Sequence, residues 1–78
     1  MNLATAEAFE AVKKEFHRAS AKHPPMHSHH EAYAVILEEL EEYWAEVMKK
    51  PSKRNPAALR EELVRTAAMC LRTLAELC

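Results

Sequence analysis

The sequence predicts an all-α protein made of a single domain over residues 1–78. It contains no glycine, is 49% hydrophobic and 29% charged, and is rich in the residues that favour helices, with few β-branched residues to support strands. Apolar residues recur at spacings of three and four in three segments that proline-containing links separate. We therefore expect three helices and no sheet.

The first helix is predicted to run from an N-cap at about Thr5 to about Lys22, since Pro24 and Pro25 disfavour helix from His23 onward. Its apolar positions form a narrow stripe. They are Phe9, Val12, Phe16 and Ala19. A helix with so little apolar surface is expected to act as a cover packed on the other two.

The second helix is predicted to begin at Ser28, which forms a Ser-x-x-Glu capping box with Glu31, and to end near Lys50. Asn55 and Pro56 supply an N-cap and a first-turn proline for the third helix. Both helices carry long apolar stripes. These are Tyr33, Ile36, Leu37, Leu40, Trp44, Val47 and Met48 on the second helix, and Leu59, Leu63, Thr66, Ala67, Cys70, Leu74 and Leu77 on the third.

The short link between these helices predicts an antiparallel hairpin. One thin helix cannot cover both long stripes, and a chain of 78 residues buries little apolar surface on its own. We therefore expect the hairpin to complete a helical bundle by association into a homodimer or homotetramer.

Charge and composition argue against several classes of protein. Eleven basic residues against twelve acidic ones give a net charge of −1, which provides no general attraction to nucleic acid or to an anionic membrane. No apolar run approaches the ~20 residues of a membrane span, and no signal peptide is recognisable, so a cytoplasmic location is expected. Cys70 and Cys78 are too far apart on one helix to form a disulfide and are expected to be reduced thiols.

The second helix carries an acidic face that its packing role does not explain. Six glutamates and no Lys or Arg occur between positions 31 and 46: Glu31, Glu38, Glu39, Glu41, Glu42 and Glu46. Like charges three and four residues apart repel one another, and a bound cation would relieve that repulsion. A solvated acidic face is the alternative. In an antiparallel hairpin Glu42 lies level with Glu62, and Glu39 lies level with Arg65, so three carboxylates could meet in one pocket.

Two short segments resemble a known family. Glu38-Glu39-Leu40-Glu41-Glu42, followed by Arg60-Glu61-Glu62-Leu63, is similar to the paired acidic elements of the MazG-like all-α nucleoside triphosphate pyrophosphohydrolases. The similarity covers about residues 27–78. It implies a Mg²⁺ or Mn²⁺ ion held by Glu39, Glu42 and Glu62, and hydrolysis of a nucleoside triphosphate to a monophosphate and pyrophosphate.

Arg65 departs from the family pattern, because it stands where the family has its fourth ligand, an aspartate. Glu38 or Glu61 could substitute for that ligand, and Arg65 could bind a phosphate or form an ion pair with Glu39. The resemblance also allows a catalytically inactive helical module for oligomerisation or regulation. Basic residues in the link, including Lys53 and Arg54, could steer a nucleotide toward the site.

A further interpretation concerns the histidines. Histidines cluster before and at the start of the second helix, at His23, His27, His29 and His30, and imidazole is a good ligand for zinc or nickel. Exposed histidines without a metal are the more ordinary interpretation.

Trp44 could stack on a base, although its place in the apolar stripe of the second helix favours packing in the core. Cys70 lies in the apolar stripe of the third helix and is expected to be buried for the same reason.

Overall fold

A computed structural model describes residues 1–78 and consists of three α-helices. They are α1 (Leu3–Lys22), α2 (His29–Val47) and α3 (Pro56–Leu77), with one turn of 3-10 helix at Pro51–Lys53 between α2 and α3. The all-α fold is therefore confirmed. None of the three helices combines the length and the apolar character that crossing a bilayer requires.

Side-chain caps set where the helices begin. Asn2 Oδ1 accepts a hydrogen bond from the Thr5 backbone N–H at 2.8 Å, so the N-cap of α1 lies three residues before the predicted N-cap at Thr5. Asn is at least as good an N-cap as Thr. Ser28 Oγ accepts from the Glu31 N–H at 3.1 Å, as predicted, and Asn55 caps the first turn of α3.

The third helix packs against both α2 and α1 and is the main contact of each. Helix α1 therefore covers α3, rather than both helices of the hairpin as expected. The buried core consists of small and flexible side chains: Ala19, Met26, Ala32, Ala68 and Met69. The three alanines are at most 1% exposed, and their small side chains let the helix backbones approach closely.

A buried ion pair ties the link between α1 and α2 to the end of α3. Arg72 is 3% exposed. It donates to Glu76 Oε2 at 3.0 Å and to the Pro24 carbonyl at 2.9 Å. Glu76 Oε1 in turn accepts from the Met26 backbone N–H at 2.7 Å. Two side chains of α3 thereby provide hydrogen-bond partners for the backbone of this link.

A second set of polar contacts fixes the hairpin between α2 and α3. Glu46 is buried and accepts from the Asn55 N–H at 2.9 Å and from Lys49 Nζ at 3.0 Å. Arg54 donates to the Val47 carbonyl from two of its nitrogens, at 3.0 and 2.7 Å. These bonds join the end of α2 to the start of α3, and so they determine which residues of the two helices lie level.

Much of the apolar surface remains exposed in the single chain. Only seven of 78 residues are buried, and no large side chain is fully buried. Trp44 is 58% exposed and Leu74 is 62% exposed, so the prediction that Trp44 packs in the core was wrong for the isolated chain. Cys70 is also exposed rather than buried, and both cysteines are free thiols. Periodicity identifies an apolar helix face without showing what covers it.

Candidate functional site

Three carboxylates from two helices converge at the middle of the hairpin. Glu39 and Glu42 project from α2 and Glu62 from α3, and one carboxylate oxygen of each lies within 4.8 Å of the others. Glu39 and Glu42 share a helix face because they are three residues apart. The antiparallel arrangement brings Glu62 level with them. We call these residues the glutamate triad; they are the one group of three or more possible His, Cys, Asp or Glu metal ligands in the structure.

Burial and nearby carboxyl groups disturb the ionisation of two triad residues, Glu62 and Glu39. The Glu62 side chain is 14% exposed. Its pKa is raised to about 7, first by burial and then by the neighbouring Glu42 and Glu39 carboxyl groups. The pKa of Glu39 is raised as well, chiefly by burial and with a contribution from Glu42. Without a cation, the fully ionised triad is therefore disfavoured near neutral pH.

The donor atoms of the triad fit a hard divalent cation. Glu39 Oε2 and Glu62 Oε2 are buried, and neither has a hydrogen-bond partner. A buried acceptor without a partner costs about 1–3 kcal/mol, and more when it is charged. Carboxylate oxygens are the ligands that Mg²⁺ prefers, and three of them would leave coordination positions for water and phosphate oxygens.

Arg65 lies beside the triad without filling it. Its guanidinium donates to Glu61 Oε1 at 2.7 Å and to Glu62 Oε1 at 3.3 Å. The ion pair that the sequence suggested between Arg65 and Glu39 is therefore replaced by pairs within α3. The bond to Oε1 leaves the other oxygen of Glu62 free, so the guanidinium and a cation could bind the same carboxylate. Glu38 is exposed and is not part of the triad.

A cleft of about 390 Å³ opens next to the triad, and Glu39 and Arg65 form part of its wall. Helix α1 contributes Glu15 and Arg18, and Met69 of α3 supplies part of its apolar lining. Arg18 donates to both carboxylate oxygens of Glu15, at 2.8 and 2.6 Å. Glu15 and Arg18 were not predicted as site residues, because α1 was expected to act as a cover. No signal in the sequence identifies them, because their place in the cleft depends on how α1 lies against α3.

The basic link lies away from this cleft. Along α3, Glu62 comes between the link and the cleft residues Arg65 and Met69. Arg54 is engaged by the Val47 carbonyl, and neither Lys53 nor Arg54 lines the cleft. Their contact with a nucleotide stays a prediction.

The histidines do not assemble into a metal site. His23 lies in the wall of the cleft, whereas His27 Nδ1 lies 3.0 Å from Glu31 Oε2 at the start of α2. No group of three possible ligands includes a histidine. The histidine-based interpretation of the sequence therefore receives no support from the fold.

No family model, no curated protein and no solved structure matches the chain significantly.

Proposed function

We propose that the chain is a divalent-cation-dependent nucleoside triphosphate pyrophosphohydrolase of the MazG-like type. The observation that carries the proposal is the convergence of Glu39, Glu42 and Glu62 beside a cleft of about 390 Å³. Ligand pockets of roughly 300–1,000 Å³ are typical for small molecules. The acidic elements of the sequence resemble the metal-binding elements of that family, and the fold brings their side chains together.

In the proposed reaction the triad would bind the metal ion and the cleft would bind the nucleotide. A Mg²⁺ or Mn²⁺ ion bound by the triad would supply neutralisation of the triphosphate and a polarised water. Glu39 and Glu42 approach from one helix and Glu62 from the other, and Glu39 also lines the cleft, so an ion bound by the triad would lie next to it. A triphosphate in the cleft then presents its α-phosphorus to water. The water oxygen forms the new bond to the α-phosphorus and loses its proton to solvent, the bond to the α–β bridging oxygen breaks, and a nucleoside monophosphate and pyrophosphate leave.

We predict that the chain releases pyrophosphate from nucleoside triphosphates in the presence of Mg²⁺ or Mn²⁺. Replacing Glu42 by Gln should lower kcat/KM at least about a hundredfold, because it removes a charged ligand and leaves the ion misplaced. Glu41→Gln is the matched control, since Glu41 lies on the same helix beside the apolar surface of α2. A panel of canonical and modified nucleotides that yields no pyrophosphate with either ion would contradict the proposal.

A second candidate is a non-catalytic helical module for oligomerisation or regulation. The contact between Arg65 and Glu62 favours it, because a built-in cation already offsets part of the negative charge. The variant Arg65→Asp discriminates between the two candidates. If that variant binds Mn²⁺ and the natural chain does not, the module is the better description.

We also propose that copies of the chain associate into a homodimer or homotetramer. Exposed apolar side chains on α2 and α3 form surfaces that the single chain leaves uncovered; they include Tyr33, Leu40, Trp44, Leu63 and Leu74. Light scattering at micromolar concentration should give at least twice the mass of the chain. The variant Trp44→Glu should shift the distribution toward monomer, and a stable wild-type monomer would contradict the proposal.

A further inference from the structure

We propose that Arg18 of α1 and Arg65 of α3 together bind the phosphate chain of the nucleotide in the cleft beside the triad. This inference rests on the proposed function and deepens it. It assigns phosphate recognition to two helices, and it makes α1 part of the site instead of a cover.

The placement of the two arginines is the first observation. Both line the cleft together with Glu39 of the triad. Arg65 Nη1 is 3.3 Å from Glu62 Oε1, so a phosphate oxygen close to the triad also lies close to this guanidinium. The Arg18 side chain is 53% exposed and that of Arg65 is 36% exposed, so an incoming ligand can reach both.

The unused donors of the two guanidinium groups are the second observation. Each guanidinium has five N–H donors in a planar fork. Arg18 uses Nε and Nη2 on Glu15, which leaves Nη1 without a partner. Arg65 uses Nη1 and Nη2 on Glu62 and Glu61, which leaves Nε. Both residues can donate to phosphate oxygens while their present ion pairs hold them in place.

The charges around the cleft predict that phosphate binding and cation binding favour each other. The wall contains four glutamates, which are Glu15, Glu31, Glu38 and Glu39, against three arginines. The third arginine, Arg72, already donates to Glu76 and to the Pro24 carbonyl. A polyanion alone therefore meets an excess of negative charge, and a cation at the triad should raise its affinity. By linkage, the polyanion should raise the affinity for the cation by the same factor.

Calorimetric titration with inorganic tripolyphosphate, with and without Mn²⁺, tests the assignment without relying on turnover. Arg18→Gln and Arg65→Gln should each lower the affinity about tenfold or more, the loss expected for a charge-assisted hydrogen bond. Arg60→Gln is the matched control and should bind within about twofold of wild type. Arg60 is an exposed residue of α3 that lines a groove against Ala8 and Val12 of α1 instead of the cleft.

A variant that should bind tripolyphosphate more tightly than wild type serves as a control for misfolding, because a misfolded variant would lose affinity. Glu15→Gln removes one negative charge from the cleft, while the amide oxygen can still accept a hydrogen bond from Arg18, so tripolyphosphate should bind several-fold more tightly. Unchanged affinity in both Arg18→Gln and Glu15→Gln would overturn the role of Arg18.

The outcomes also separate this inference from the proposed function. If wild type binds Mn²⁺ but not tripolyphosphate, the result contradicts phosphate binding by the two arginines and supports the metal centre. If tripolyphosphate binds through Arg18 and Arg65 while no nucleotide is hydrolysed, the result supports the role of the arginines and contradicts the proposed pyrophosphohydrolase activity.

Discussion

Glu62→Gln should make the metal-free chain more stable than wild type at pH 8, by up to about 3 kcal/mol. The pKa of Glu62 is raised from 4.5 to about 7 in the fold, and one pKa unit corresponds to about 1.4 kcal/mol. Above pH 7 the folded wild-type chain must keep this carboxylate ionised next to Glu39 and Glu42. A glutamine of the same shape carries no charge and avoids that penalty.

The expected pH dependence follows from the direction of the pKa shift. Below about pH 4.5 Glu62 is protonated in both the folded and the unfolded chain, and the shift then has no effect on the free energy of unfolding. Between about pH 4.5 and 7 only the unfolded chain ionises, so wild-type stability falls relative to Glu62→Gln. Above about pH 7 the difference is constant.

Urea denaturation of both proteins across this pH range, in the presence of a chelator, measures the difference directly. Glu41→Gln is the control, because Glu41 is exposed and is not part of the triad. Adding Mn²⁺ at pH 8 should stabilise wild type but not Glu62→Gln. A difference between the two proteins that does not change with pH would contradict the electrostatic explanation.

Arg72→Leu should destabilise the fold by about 3 kcal/mol, a large share of the stability of a chain this small. Leucine removes the cation and leaves the Glu76 carboxylate without its charged partner. The expected loss lies at the low end of the 3–5 kcal/mol usually found for breaking a buried pair. The Glu76 side chain is 17% exposed, so water can partly solvate its carboxylate. Urea denaturation at pH 7 measures this loss.

The matched control for Arg72→Leu is Arg60→Leu, which removes an exposed arginine from the same helix and should change stability little. Arg72→Leu should also loosen the link at Pro24 and Met26, which Arg72 and Glu76 hold. Hydrogen exchange at the Met26 amide should therefore become faster in the variant under native conditions. Equal stability of the two leucine variants would contradict the structural role of Arg72.

The sequence predicted the helices well because their signals are local. Caps at Ser28 and Asn55 and prolines in the links act within a few residues of each boundary. The order of packing was not predictable in the same way. An apolar stripe such as that of α1 does not show which neighbour it meets, and the core instead formed around alanines where backbones approach closely. For the same reason, the exposure of Trp44 could not be read from its spacing.

The candidate site was predictable only where it follows helix geometry. Glu39 and Glu42 share a face by spacing, and the short hairpin brings Glu62 level with them. Arg18 could not be placed, because its position depends on how α1 lies against α3. The partners of Arg65 also depended on side-chain conformation, since Glu39, Glu61 and Glu62 are all within possible reach of one guanidinium, and the structure selects the two on its own helix.

Titration of the metal-free chain with Mn²⁺ tests most directly whether the three carboxylates form an ion-binding centre. We expect saturable binding by wild type, a large loss of affinity in Glu39→Gln, Glu42→Gln and Glu62→Gln alike, and no loss in Glu41→Gln. Wild-type protein that binds no Mn²⁺, or that binds it as tightly after the Glu62→Gln substitution, would contradict the assignment of this centre.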